Sequence, residues 1–240
     1  MHFKLHLAPR LFICLLAATS VTAAVAASYE LRVYSDDIPR QGDAEIEWIA
    51  SIAQPKPSQA GPSTRVAQLL MEYGYGLGHG WAIGLEVPMS QVQGQRKLEG
   101  LKAELQYVAP HAAEVGFYWG VRGDVGYTST PYDSQGGNSI DLNPILGYRW
   151  ATWHATVNPS FEIPLSGEST KAQFQPSAKI SKRVNATRQL GLEYFSNWGV
   201  ASAPLARQRR DETLYAVWDE QIKAHRLQLG LGRPLHPAGG

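Results

Sequence analysis

Strict alternation of apolar and polar side chains is the feature that most constrains the fold of this 240-residue chain. In residues 81–89 the odd positions hold Trp, Ile, Leu, Val and Met, and the even positions hold Ala, Gly, Glu and Pro. A period of two residues is typical of β-strands, because successive strand side chains point to opposite faces. About eleven such stretches predict an all-β protein. They are residues 44–53, 69–77, 81–89, 101–107, 117–127, 139–150, 153–165, 171–183, 188–198, 212–220 and 225–233.

The length of these strands predicts that they cross a membrane. Each is near ten residues long, and a transmembrane β-strand needs about 9–11. A soluble β-sandwich is the alternative, but its strands average about five or six residues. Aromatic residues end the apolar face, as in the girdles of outer-membrane barrels, whereas the opposite face suits a polar lumen. The predicted aromatic girdle consists of Trp81, Tyr107, Trp119, Tyr127, Tyr148, Trp150, Trp153 and Trp198.

The connections between strands predict the orientation of this barrel and its strand number. Short turns alternate with longer loops, and bacterial barrels place the short turns in the periplasm and the long loops outside. Such barrels also have an even number of strands, whereas an eleventh strand running outward would leave the chain end outside. We therefore expect an antiparallel transmembrane β-barrel of about twelve strands. Either the final strand is missing after Gly240, which we prefer, or residues 29–35 fill the gap.

The N-terminus has the features of a secretory signal peptide. Lys4 and Arg10 are followed by an apolar core at 11–18 and by small residues at 23–27, and this apolar core is too short to span a bilayer. We expect residues 1–27 to be removed, residues 28–43 to form a periplasmic N-terminal segment, and residues 44–240 to form the barrel. Entry of residues 28–43 into the lumen as a plug is an alternative that the sequence leaves open. The single cysteine, Cys14, lies in the predicted signal peptide, which excludes a disulfide scaffold.

Ionisable side chains are predicted on the lumen face of the barrel. Hairpin register places Glu72 opposite Glu86, and Asp141 opposite Glu162. Because like charges directly opposite each other are unfavourable, basic lumen residues should neutralise them. This set is interpreted either as a structural salt-bridge network or as a selectivity ring on a solute path. The predicted lumen-facing residues are Glu72, Glu86, Lys102, Glu104, Arg122, Asp124, Asp141, Arg149, Glu162, Lys179 and Glu193.

Five prolines lie within the predicted strands, where proline removes a hydrogen-bond donor from the ladder. Bulges or strand ends could accommodate them, and the register places Pro144 opposite Pro159. The five residues are Pro88, Pro144, Pro159, Pro164 and Pro176.

The stretch Tyr194-Phe195-Ser196-Asn197 is similar to the His-x-Ser-Asn stretch on the lipid face of outer-membrane phospholipase A and lipid A deacylases. Tyr194 stands in place of the histidine, so the serine has no base to activate it. His154, predicted in the lumen, cannot substitute. The sequence therefore predicts a protein that is not an enzyme and has no catalytic residues.

Metal and nucleic-acid binding are not expected either. The other mature histidines lie in predicted turns or loops, where we expect them to be solvated, and none has the spacing of a helical zinc motif. No metal or cofactor is predicted. The 22 basic and 21 acidic residues nearly balance, which argues against a nucleic-acid partner. The arginine-rich run 207–210 could contact lipopolysaccharide phosphates.

Several strand patterns together resemble a known family. They are Tyr29-Glu30-Leu31-Arg32-Val33-Tyr34-Ser35-Asp36-Asp37, Glu45-Ile46-Glu47, Glu72-Tyr73-Gly74-x-Gly76 and Trp81-x-Ile83-Gly84-Leu85-Glu86-x-Pro88. These patterns resemble the outer-membrane barrels associated with meta-pathway phenol degradation. The resemblance implies an outer-membrane location in a Gram-negative bacterium and a transport role.

The expected function is therefore a channel or transporter for small solutes across the outer membrane. A non-conducting structural or adhesive barrel is the alternative. The expected partners are outer-membrane lipid and lipopolysaccharide, the barrel-assembly machinery and a small-molecule solute.

Overall fold

The computed structural model describes residues 32–53, 66–92, 94–111, 115–129, 137–165 and 170–235. The predicted signal peptide therefore lies outside the described residues. Apart from one 3-10 turn at Arg207–Arg209, the regular elements in these ranges are all β-strands. Among the described residues, there is no helix with the length and apolar character needed to cross a bilayer.

The described strands agree with the predicted ones apart from shifts of a few residues at their ends. One short strand, β4, was not predicted. The strands are β1 (Ala44–Ala53), β2 (Val66–Gly78), β3 (Trp81–Val92), β4 (Gln95–Leu98), β5 (Gly100–Val108), β6 (Gly116–Thr128), β7 (Gly137–Arg149), β8 (Trp153–Pro164), β9 (Gln173–Arg183), β10 (Arg188–Asn197), β11 (Asp211–Ile222) and β12 (His225–Pro234).

Eleven of these strands form a closed barrel, which confirms the predicted fold class. Neighbours in the chain pair antiparallel from β1 to β3 and from β5 to β12, and β3 also pairs with β5. The remaining strand, β4, forms a hairpin with the last four residues of β3. β4 precedes β5 in the chain, and Glu99 separates the two strands. The Glu99 amide donates to the Pro88 carbonyl at 2.8 Å. Pro88 thus lies at an irregularity of the ladder, as expected.

The barrel closes differently from the expected all-antiparallel ring. β1 pairs directly with β12, in parallel, from Ile46 opposite His225 to Ile52 opposite Leu231. An odd number of strands that alternate in direction leaves the first and last running the same way, so their contact must be parallel. Closure satisfies the backbone groups that two open edges would leave unpaired. The alternative in which residues 29–35 fill the gap does not hold for the described residues 32–35, which are not in a strand.

Three further prolines form a row across β7, β8 and β9. Pro159 is in register with Pro176. On its other side, β8 pairs with β7, and this ladder has a gap between the pairs Leu142–Phe161 and Leu146–Val157. The register of these two pairs places Pro144 opposite Pro159 within the gap, as predicted. The Asn158 side chain donates to the Pro144 carbonyl at 3.2 Å.

The two faces of the wall have opposite character. Large apolar side chains on the outside are 36–65% exposed, whereas Arg122, Asn143 and Asn158 inside are 0% exposed. Soluble proteins have the reverse arrangement, with apolar side chains inside and charged ones outside. This inside-out pattern follows directly from the alternation in the sequence.

Candidate functional site

The lumen is occupied by the chain's own N-terminal segment, residues 32–39, which we call the N-terminal plug. The plug has no strand or helix. Val33 packs against Phe195, Tyr215 and Val217, and Tyr34 lies in a second buried cluster. The sequence predicted a periplasmic segment at residues 28–43, but within it residues 32–39 lie inside the barrel. Burial of these two apolar side chains is one physical reason.

Amide side chains of the wall bind the plug backbone. Asn158 Oδ1 accepts from the Tyr34 amide at 2.7 Å, and Asn158 Nδ2 donates to the Tyr34 carbonyl at 3.0 Å. Gln106 Nε2 donates to the Ser35 carbonyl at 2.9 Å. Buried backbone groups need such partners. Neither Asn158 nor Gln106 was a predicted site residue, although both lie at lumen positions of the alternating pattern.

The plug's two aspartates bind basic residues of the wall. Arg149 donates to Asp36 Oδ2 at 2.7 Å through Nε, to Asp36 Oδ1 at 2.5 Å through Nη2, and to Asp37 Oδ1 at 2.7 Å. Arg226 Nη1 lies 3.6 Å from Asp37 Oδ2. Burial acts to raise the pKa of Asp37, but Arg226 and Arg149 hold this pKa well below its ordinary value. Arg149 thus faces the lumen as predicted, with a partner that was not foreseen.

His111 corrects a prediction. It lies in the connection between β5 and β6, where a solvated histidine was expected, yet its Nε2 is 2.7 Å from Asp36 Oδ2. The imidazole reaches into the barrel mouth because the plug brings a carboxylate there. Nothing in the local sequence around His111 indicates this contact.

At the other end of the plug, Arg32 contacts two members of a group of carboxylates that lies on β1, β2, β3, β5 and β6. Arg32 Nη2 lies 2.8 Å from Glu47 Oε2, and Nη1 donates to Glu72. We call this group the acidic wall. Its members are Glu47, Glu72, Glu86, Glu104 and Asp124. Glu47 was missed by the sequence analysis, although it occupies a lumen position in register with Glu72.

Arg122 is the second cation of the acidic wall. Its Nε donates to Asp124 Oδ1 at 2.8 Å, its Nη2 to Glu86 Oε2 at 2.8 Å and its Nη1 to Glu72 Oε2 at 3.3 Å, and it also pairs with Glu104. The ring of Tyr34 lies 4.2 Å from its Cζ. Two guanidinium groups therefore neutralise much of the charge of five carboxylates.

The other predicted lumen residues also make polar contacts inside the barrel. Lys102 Nζ lies 2.6 Å from Asp141 Oδ2, and Lys179 Nζ lies 2.8 Å from Glu193 Oε1. Glu162 accepts from Gln175 at 2.7 Å. The like-charged pairs Glu72–Glu86 and Asp141–Glu162 are in register as predicted.

The predicted girdle divides between the two ends of the barrel. Six of its residues lie where the short turns are, at the start of β3, β6 and β8 and at the end of β5 and β7. Tyr127 and Trp198 lie at the other end. Ring contacts join neighbours, with centroids 4.8 Å apart for Trp81 and Tyr107 and 4.7 Å apart for Tyr148 and Trp150. Trp198 also packs on Phe174 at 5.3 Å, a contact that was not predicted.

The Ser196 stretch and His154 lie on opposite sides of the wall. Phe195 points into the lumen against Val33, so Ser196 belongs to the outer face, where it is in register with Glu212. His154 lies inside, with its Nε2 2.5 Å from the Tyr118 hydroxyl. The prediction that His154 cannot serve Ser196 agrees with this geometry.

Two sets of potential metal ligands occur among the described residues. They are Asp36, Asp37 and His154, and Glu72, Glu86 and Glu104, each with ligand atoms within 4.8 Å of one another. A guanidinium already binds carboxylates of each set, Arg149 in the first and Arg122 in the second. The arrangement therefore favours ion pairing over metal coordination.

The fold and the lumen together define the class of protein as a closed β-barrel that holds its own N-terminal segment inside. Comparisons with known protein families, with curated proteins and with solved structures gave no match for this chain. The resemblance to the barrels of meta-pathway phenol degradation stays a prediction from the sequence patterns.

Proposed function

We propose that this protein is a channel for small solutes in the outer membrane of a Gram-negative bacterium, held closed by the N-terminal plug. The inside-out wall carries the proposal, with exposed apolar side chains outside and ionisable side chains inside. Exposure of this apolar outer face to water would be unfavourable, whereas the hydrocarbon core of a membrane would solvate it.

The dimensions of the wall support the membrane location. The strands of the ring are 9–13 residues long, close to the span of a bilayer. The aromatic residues at the short-turn end would lie at the membrane interface. Lipid and lipopolysaccharide are the partners that this surface would meet, with the exposed Arg207 and Arg209 near the outer leaflet. Insertion would require the barrel-assembly machinery.

The nature of the plug contacts supports a channel over a permanently filled barrel. The plug is bound by side chains and takes no part in the β-ladder of the wall, so it can leave while every strand pairing of the ring stays intact. The lumen side chains that it would uncover include many charged and amide groups, which water can solvate. A wholly apolar lumen would not offer such a hydrated path.

Conductance of the refolded protein in a planar bilayer tests the proposal. The informative variant replaces four plug residues (Arg32→Ser, Val33→Ser, Tyr34→Ser and Asp36→Ser) and leaves the wall unchanged. We expect the wild type and an Arg188→Gln control, which alters the short-turn end, to be silent. The plug variant should give discrete current steps. A silent plug variant in a folded, heat-modifiable barrel would support the non-conducting structural or adhesive alternative.

A further inference from the structure

Arg32 places a cation of the plug in a strongly acidic part of the lumen. Its guanidinium lies between Glu47 and Glu72, and both carboxylates are buried. A small cavity lies beside it. The ionisable groups lining the cavity are Arg32, Asp37, Glu45, Glu47, Glu72 and Glu104.

Departure of the plug would remove the cation that contacts Glu47 and Glu72. The cations that remain near the acidic wall include Arg122, which already contacts four of its carboxylates, Lys102 beside Glu86 and Arg226 beside Glu47. Buried carboxylates that lose a partner are costly, so Glu47 and Glu72 favour another cation in the position of Arg32.

We infer that the acidic wall binds the guanidinium or ammonium group of small organic cations, and that Arg32 fills this position in the closed state. This inference rests on the proposed function and names the solute class. A guanidinium matches the observed geometry, since separate nitrogens of Arg32 reach Glu47 and Glu72, and planar N–H donors pair well with carboxylates.

Competition between Arg32 and a free cation gives the test. Agmatine, which carries a guanidinium and an amine, would be titrated by calorimetry into the refolded full mature chain. Arg32→Ser should bind agmatine about tenfold tighter than the wild type, the effect of one charge-assisted pair. Arg32→Lys is the matched control, and it should bind as weakly as the wild type because the competing cation remains.

Two further variants locate the site. Adding Glu47→Gln and Glu72→Gln to Arg32→Ser should abolish agmatine binding. Adding Glu162→Gln, a lumen carboxylate that bonds Gln175, should leave the binding unchanged. Equal affinity in Arg32→Ser and the wild type, or binding that survives the two glutamine substitutions, would overturn the inference.

The outcome is separable from that of the proposed function. Binding is measured without conduction, so a silent bilayer with intact agmatine binding would reject the channel and keep the cation site. Current steps from the plug variant without agmatine binding by Arg32→Ser would keep the channel and reject the solute class.

Discussion

At the scale of single residues, Arg122 explains how four carboxylates are accommodated inside a narrow barrel. The pairs Glu72–Glu86 and Glu104–Asp124 are in register on neighbouring strands, and such pairs repel each other. The Arg122 guanidinium contacts all four residues. The sequence predicted the pair Glu72–Glu86 and the need for basic neighbours, but not the pair Glu104–Asp124. Which base meets which acid depends on side-chain reach across several strands.

Replacement of Arg122 should therefore destabilise the barrel strongly. We expect Arg122→Met to lower the free energy of unfolding by about 3–5 kcal/mol, because it leaves buried carboxylates without their partner. Urea unfolding of the refolded protein measures this difference. In the control, Arg188→Met, the pair with Glu220 is 41% exposed on the arginine side, and the loss should be much smaller than for Arg122→Met. Equal losses in the two variants would contradict the role of Arg122.

Asp37 makes retention of the plug dependent on pH. Because the pKa of Asp37 is lowered in the folded protein, its contribution is fully present above the pKa of a free carboxyl, about 3.9. It is lost as the pH falls through the lowered value. We expect amides 32–39 to stay protected from hydrogen exchange at pH 5 and to lose protection in stronger acid, after correction for intrinsic rates. Asp37→Asn should already lower protection at pH 7, and identical profiles for this variant and the wild type would count against the prediction.

At the scale of elements, the chain that follows the plug passes out of the barrel through a narrow gap beside the end of β2. The Gly42 amide donates to the Gly76 carbonyl at 2.9 Å, and the Gly76 amide donates to the Asp43 carbonyl at 3.1 Å. A Cβ at Gly76 would lie only 2.1 Å from the Arg40 carbonyl oxygen. Glycine is thus required here by close backbone approach.

Gly76→Ala should therefore displace the chain that follows the plug. We expect residues 32–41 to become sensitive to limited proteolysis while the wall stays folded. Gly123→Ala is the matched control on β6, because a Cβ there would lie 4.0 Å from its nearest neighbour. If residues 32–41 resist proteolysis equally in Gly76→Ala and in the control, the gap tolerates a side chain at residue 76 and the prediction is wrong.

At the scale of the whole molecule, strand number decides how the barrel closes. The sequence reasoning required an even number of strands and so expected another antiparallel strand between β12 and β1. The structure instead joins the two directly in parallel over seven residue pairs. Closure of the ring removes both edges, and this gain offsets the slightly weaker pairing of parallel strands.

A cross-strand disulfide tests this closure. Ala50 on β1 is in register with Leu229 on β12, and neighbouring strands lie about 4.8 Å apart, within disulfide range. Ala50→Cys with Leu229→Cys, in protein expressed from residue 28 so that Cys14 is absent, should oxidise readily in the folded barrel. Trp218, the partner of Leu229 on β11, provides the control. Ala50→Cys with Trp218→Cys spans two strand spacings and should stay reduced. If the Ala50→Cys, Leu229→Cys pair also stays reduced in the folded barrel, β1 and β12 are not direct neighbours and the closure described here is wrong.

The wall of the barrel follows from local patterns in the sequence. A period of two is a local property of the chain, so the strands, their outward and inward faces, the aromatic residues at their ends and the opposed pair Glu72–Glu86 could all be derived from neighbouring residues. Lumen positions such as Arg122 and Arg149 were found in the same way.

The plug in the lumen and the pairing of β1 with β12 depend on the tertiary structure. Arg32, Tyr34 and Asp36 carry no period that marks them as interior, and their partners Glu47, Asn158 and Arg149 are distant in sequence. Such contacts exist because the closed ring encloses a space that must be filled and charges that must be paired. That requirement arises from the whole molecule, so no local stretch of the sequence expresses it.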